Sequence, residues 1–226
     1  MKKYFSFLLV LLSFCFTSCI EIVDDLKVNN DGSGTFKYTV NLSESRIKIN
    51  SILALDSLNG KPIPSKSEIT DRIVKFKDRF ITKEGISNVN LEMDMENFLI
   101  KLQIDFQNIS VLQDAIRQTI QEESKSENDL LTKGFDWLKW NQDTLARSVP
   151  DLSIDKVKEL KLDEIEKLKG GSYISITRFE RPIIGFSNEK AQLSKNKLAL
   201  MFKENAYSLS VNPSLLKNTI YLSPLN

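Results

Sequence analysis

The 226-residue chain predicts an α+β fold: a mostly antiparallel sheet built from hairpins, with helices packed on one face. Three observations lead there. Alternating apolar runs come as adjacent pairs around turn residues, at about 26–42 and 89–106, as antiparallel hairpins do. Stretches of helical period fall between those pairs, without the strict strand–helix alternation of a parallel sheet. The composition, 41% apolar and 27% charged with 8 Gly and 6 Pro, is that of a folded chain.

The elements follow in order. Leu26 and Val28 alternate into Asn29-Asn30-Asp31-Gly32-Ser33-Gly34, whose residues suit a turn, and Phe36, Tyr38, Val40 and Leu42 alternate on the way back. A helix is expected over about 44–58, with Ile49, Ile52 and Leu53 on one side, before Lys61-Pro62-Ile63-Pro64 breaks the chain. The next helix opens with Ser65 and Glu68 in capping-box spacing. It carries Ile69, Ile73, Phe76 and Phe80 on one face, Arg72, Lys75 and Arg79 on the other, and Gly85 as its stop.

The second hairpin runs Val89, Leu91, Met93, Met95, then Phe98, Ile100, Leu102, Ile104, Phe106. A two-residue turn at Glu96-Asn97 would set Leu91 opposite Leu102 and Glu92 opposite Lys101 on the wet face. A helix follows with Ser110 and Gln113 as capping candidates and Leu112, Ala115, Ile116, Thr119 and Ile120 inward. Residues 121–129 form a polar connector. Residues 135–149 read as a strand, a turn at Asn141-Gln142-Asp143 and a return strand, with a helix as the alternative. A helix is expected over 153–169, stopped by Gly170-Gly171, and strands over about 172–179, 197–203 and 218–222.

The N-terminus is an address. Lys2 and Lys3 precede an apolar run from Tyr4 to Phe16, and Thr17-Ser18-Cys19 supplies a small-residue exit. A run of that length makes a helix of about 20 Å, short of a hydrocarbon core of roughly 30 Å. Phe16-Thr17-Ser18-Cys19 resembles the lipobox of bacterial lipoproteins, with Phe16 where Leu is usual. Cys15 follows the bulky Phe14 and fits that pattern less well. The resemblance implies that residues 1–18 are a signal peptide that is removed, and that Cys19 is the lipid attachment site. Residues 19–226 are then a single α+β domain held to the membrane by acyl chains such as palmitate. Loss of Lys2 and Lys3 takes the net charge from +1 to −1. With the first strand so close to Cys19, the domain should sit near the membrane surface.

Asp31-Gly32-Ser33-Gly34, Glu84-Gly85-Ile86 and Asn212-Pro213 are similar to features of lipoproteins of Bacteroidetes-type bacteria and, more distantly, of an LppM-like class. That likeness implies a cell-envelope protein that contacts lipid, in the outer membrane, and it supplies no catalytic residue. Glu21, Asp24 and Asp25 resemble the acidic residues that follow the cysteine in surface-exported members. Asp56-Ser57-Leu58 and Asp143-Thr144-Leu145 resemble that lineage's O-glycosylation tripeptides, with Ser57 and Thr144 as acceptors.

Chemistry is constrained by what the chain lacks. It contains no histidine, and both cysteines lie within the first 19 residues, so the body has no thiol nucleophile, imidazole base or Cys/His zinc site. Balanced charge, 31 basic against 30 acidic residues, gives no field for nucleic acid. Asn29, Asp31, Ser33 and Gly34 match half of a calcium loop, but its twelfth position is Val40, so a hairpin turn is the expectation. Glu92, Asp94 and Glu96 share a solvated face rather than facing each other across a cleft. Ser-x-x-Lys recurs at Ser45, Ser153, Ser187, Ser194 and Ser214 without companion motifs. Trp137 and Trp140 are expected in the core, with a lipid or glycan platform as the alternative.

The expectation is therefore a non-catalytic, lipid-anchored module with no cofactor or metal, whose partner is a lipid, glycan or envelope protein. The alternative is a carboxylate-dependent hydrolase. No ionisable side chain is expected to combine a strongly shifted pKa with a place in a deep pocket.

Overall fold

The structure, a computed structural model, describes residues 20–58, 60–123, 136–149 and 169–225. Of the expected connector over 121–129, residues 121–123 instead continue a helix; residues 124–129, residues 153–168 of the helix expected over 153–169, and the whole lipobox lie outside the described residues.

The α+β expectation holds. Strands β1 (Glu21–Val28) and β2 (Gly34–Asn41) form the first hairpin, Glu21 opposite Asn41. Asp31 builds the turn by accepting from the Ser33 N–H (2.9 Å) and hydroxyl (2.6 Å). Gly34 is required: a Cβ there would lie 1.9 Å from the Lys27 carbonyl oxygen.

The expected helix over 44–58 is shorter. A single 3-10 turn (Ser43–Ser45) leads into α1 (Arg46–Leu53), which keeps Ile49, Ile52 and Leu53 half-buried. The chain then turns into a small ribbon of β3 (Ser57–Leu58) and β4 (Lys61–Pro62). Helix α2 (Lys66–Ile81) starts with the capping box as expected, the Ser65 hydroxyl accepting from the Glu68 N–H and the Glu68 carboxylate from the Ser65 N–H.

Strands β5 (Ile86–Asp94) and β6 (Leu99–Phe106) pair in the expected register, Leu91 to Leu102 and Glu92 to Lys101. Two details differ. The turn takes Met95–Phe98 rather than two residues, with Asp94 accepting from the backbone N–H groups of Glu96 and Asn97 (both 3.0 Å). A bulge also lies between Ser87 and Asn90, where Asn88 sits at φ 48° and its amide donates to Asp105 (2.8 Å).

Helix α3 (Ile109–Glu123) is capped by Asn108, whose side chain accepts from the Val111 N–H (2.9 Å), and not by Ser110. Gln113 is buried instead: its amide donates to the Leu138 carbonyl (3.0 Å) and its carbonyl accepts from the Leu138 N–H (2.9 Å). A side chain thus pairs like a strand edge with β7 (Leu138–Asn141). Strand β8 (Thr144–Arg147) returns beside it, which settles 138–147 as strand.

Then come β9 (Ser172–Phe179), β10 (Ile183–Phe186), β11 (Gln192–Leu193), β12 (Ala199–Asn205), α4 (Ala206–Val211) and β13 (Asn218–Leu222). β9 and β13 match their expected bounds, and β12 lies two residues later than expected.

Seven strands form one sheet in the order β11-β12-β9-β1-β2-β6-β5, antiparallel except for β1 against β9. A second sheet, β10-β13-β8-β7, is absent from the sequence-based expectation. The core joins the large sheet (Leu26, Val28, Ile104, Phe106) to the helices (Phe80, Leu112, Ala115) and to the small sheet (Leu138, Leu145, Ile220, Leu222). Helices and small sheet thus share the inner face of the large one.

Candidate functional site

The inner face of the large sheet is incompletely filled. Alternation places Phe36, Tyr38 and Val40 of β2 and Ile100 and Leu102 of β6 inward, beneath the apolar stripe of α2. Of that stripe only Phe80 is fully buried, while Ile69, Ile73 and Phe76 remain half-buried. The space beneath them is a cavity of about 480 Å³ walled by Phe36, Phe76, Leu102, Ile116, Ile120 and Trp137. A second space of about 330 Å³ shares Tyr38, Phe76 and Leu102 with it and continues along Val40 and Ile100, with Arg72 and Lys77 at its edge. Volumes of this size are those of small-molecule pockets.

The large cavity has one polar wall, built by three strands. β1 turns Asp24 inward in step with Leu26 and Val28, β9 turns Tyr173 and Ser175 inward, and β8 turns Arg147 inward in step with Leu145. The Asp24 carboxylate accepts from Arg147 Nη1 (2.8 Å), Arg147 Nη2 (3.4 Å), the Ser175 hydroxyl (2.7 Å) and the Tyr173 hydroxyl. The Asp24 side chain is 6% exposed and that of Arg147 15%.

Burial alone would lower the Arg147 pKa, but the Asp24 charge and Tyr173 beside it more than offset that and raise it. Burial, then the Asp24 charge, pushes the Tyr173 phenol well above its ordinary value, and the same two causes raise Tyr38. This corrects the sequence-based expectation, since strongly shifted groups do line the cavity. Both shifts lead away from neutral pH: the guanidinium stays charged and the phenols stay protonated. Neither group is thereby set up to exchange a proton at pH 7.

Asp24 is the one carboxylate among the cavity's described lining residues. Glu92 lies on the outer face, 3.6 Å from Lys101. Asp94 caps its turn, and bonds from the Asn97 side chain and backbone lower its pKa. Among the described residues, no second acid is brought to Asp24. Asp25 is engaged by Arg178 (2.9 Å).

Trp140 stacks on Phe179 with ring centroids 6.1 Å apart, a core position, whereas Trp137 lines the cavity. Ser57 is exposed on β3, but Thr144 is half-buried on β8, between β13 and β7. Cys19 and Ser153 lie outside the described residues.

Among the described residues no helix is long and apolar enough to cross a membrane, and no group of three metal-ligating side chains converges. No protein-family model matches the chain, and no curated protein does. Among solved structures, the NMR structure of the folded domain of the Mycobacterium tuberculosis protein LppM is similar, at 7% identity over 91% of each chain with a TM-score of 0.39.

Proposed function

We propose that this is a lipid-anchored envelope protein whose domain holds the apolar part of an amphipathic ligand between α2, α3 and the large sheet, without catalysis. The observation that carries the reading is the 480 Å³ cavity, mostly apolar, with the Asp24–Arg147–Tyr173 wall, Ser148 and the Tyr38 hydroxyl as its polar lining. Apolar spaces of this kind exclude water and accept apolar molecules. The polar wall is internally paired, so it suits an uncharged polar group, such as a hydroxyl or carbonyl, better than a second full charge. The anchor at Cys19 would keep such a ligand within reach of the bilayer from which it comes.

Native mass spectrometry of the protein extracted from its own membrane tests this. A retained lipid is expected, and Leu102→Trp, which fills the shared part of the two spaces, should reduce its occupancy. An empty protein that also fails to bind a fluorescent fatty-acyl probe would overturn the reading. So would turnover on ester or glycoside substrates that Asp24→Asn abolishes, and that result would promote the hydrolase.

A further inference from the structure

We propose that the end of the domain nearest its N-terminus is a second membrane contact, a surface that seats on an anionic bilayer beside the lipid anchor. The inference goes beyond ligand binding, and rests on the proposed anchor only for which membrane is met.

The placement follows from register. β1 begins at Glu21, opposite Asn41 of β2, which in turn lies opposite Leu99 of β6, so these three residues mark one end of the sheet. The chain leaves β2 at that end, where the Leu42 N–H donates to the Phe98 carbonyl (3.0 Å). It returns there as well, where the Lys66 ammonium lies 5.0 Å above the Phe98 ring. Arg46 Nη1 donates to the Asn97 side chain (2.9 Å) and ties α1 to the same tip. Helix α4 follows Asn205, which pairs with Ser172 next to Glu21.

What this end exposes is unusual for a water-facing surface. Ile47 is 79% exposed, Val211 57%, Leu55 48% and Leu58 46%. They are four of the nine large apolar side chains exposed among the described residues. Interspersed are the exposed cations Arg46, Lys48, Lys61 and Lys66, against the exposed acids Glu44 and Asp56, and neither Lys48 nor Lys61 is in an ion pair with a described residue. Apolar side chains that enter the headgroup boundary, flanked by cations that meet anionic lipid, are the parts of an interfacial membrane contact. α1 buries no residue fully: Ile49, Ile52 and Leu53 are half-buried, and Ile47 is left facing out. Val40 and Ile100, the walls of the smaller space, lie one residue inside this end. Docking would therefore turn the ligand space toward the lipid.

The test uses the full protein, purified from its membrane, checked for acylation by intact mass, and reconstituted into phosphatidylcholine vesicles with or without phosphatidylglycerol. An environment-sensitive dye is attached at Leu58→Cys, or at Glu84→Cys on the opposite end as control. Emission at 58 should shift to the blue and be quenched by spin-labelled lipid. The response should be stronger with phosphatidylglycerol and weaker in high salt, and the dye at 84 should not respond.

One Lys near an anionic surface is worth roughly a fivefold change in partitioning, so Lys48→Glu with Lys61→Glu should lower the docked fraction by on the order of tenfold or more. Equal emission at 58 and 84 overturns the proposal. So does a blue shift at 58 that needs no vesicles and grows with protein concentration, which would make this face a contact between copies. Should intact mass show no acyl chain, the anchor reading fails on its own. The same probes, with vesicles added to the unanchored protein, then decide the contact separately.

Discussion

Removing Arg147 tests whether the polar wall of the cavity is a directly coupled ion pair. Asp24 and Arg147 bring opposite charges together at 2.8 Å with side chains 6% and 15% exposed, so water does little to screen either. Arg147→Met preserves much of the volume and leaves the carboxylate with only the Ser175 and Tyr173 hydroxyls. Breaking a buried pair from one side costs about 3–5 kcal/mol, and the two remaining donors place the expectation near the lower figure. Asp24→Leu should cost a similar amount, because it strands the guanidinium and both hydroxyls.

The double variant removes both charges at once. What remains is the loss of an acceptor for two hydroxyls, at about 1–3 kcal/mol each when buried and less for Tyr173, whose ring lines the cavity. The double variant should thus be no less stable than either single one, with a coupling energy of about 3 kcal/mol or more. Urea unfolding followed by circular dichroism, with an unchanged slope, measures all three. Additive penalties, within about 0.5 kcal/mol, would refute a direct pair in a low-dielectric wall.

Other outcomes follow from the same geometry. Ile104→Asp should cost several kcal/mol or prevent folding, because Ile104 is fully buried, whereas Lys101→Asp on the wet face should cost about 1 kcal/mol or less; equal midpoints would contradict the register. Cys19→Ala should leave the precursor uncleaved and unlabelled by an alkyne fatty acid, while Cys15→Ala changes neither; labelling that survives the Cys19 change would sink the anchor. Stability should be nearly flat from about pH 5 to 8, because the chain has no histidine. Asp31, Glu68, Asp94 and Glu204 have lowered pKa values, so their contribution is present above their ordinary values of 3.8 and 4.5 and fades as pH falls below them. Tyr38 and Tyr173, with raised values, contribute below their ordinary 10.0, and that contribution is lost as pH rises beyond it. A thermal midpoint that swings between pH 5 and 8 would contradict this assignment of charges.

What the sequence discloses is what neighbours in the chain decide. The β5–β6 register is legible because alternation flips every side chain if the pairing slips by one residue, and the α2 capping box is legible because its partners are three residues apart. The assembly of the small sheet is not legible. Its strands β7, β8 and β13 are expected from the sequence, but the four-residue β10 is not, and β13 joins β8 from more than seventy residues away. The parallel pairing of β1 with β9 leaves no local trace either. The cavity wall depends on those same long-range pairings. Asp24 stands in step with Leu26 and Val28, Arg147 in step with Leu145, and Tyr173, Ser175 and Thr177 in step with Phe179. An inward polar residue in an alternating run was the available signal. Read alone, Asp24 resembled an acidic residue of the export address, because nothing nearby in the chain reveals the arginine it meets.

The presence of that pair bears on the proposed function. A buried ion pair is often less stable than the apolar residues that could replace it, and Asp24 and Arg147 sit beside a core of Leu, Ile and Phe that such residues would extend. Ile69, Ile73 and Phe76 of α2 stay half-buried over the gap, whose one polar wall has its donors and acceptors fixed by strands β1, β8 and β9. Both departures from close packing occur in the same place. Each is costly as architecture, and the proposed amphipathic ligand would account for the two together: its chain would supply the contacts α2 lacks, and its polar group would face the wall that the sheet has built.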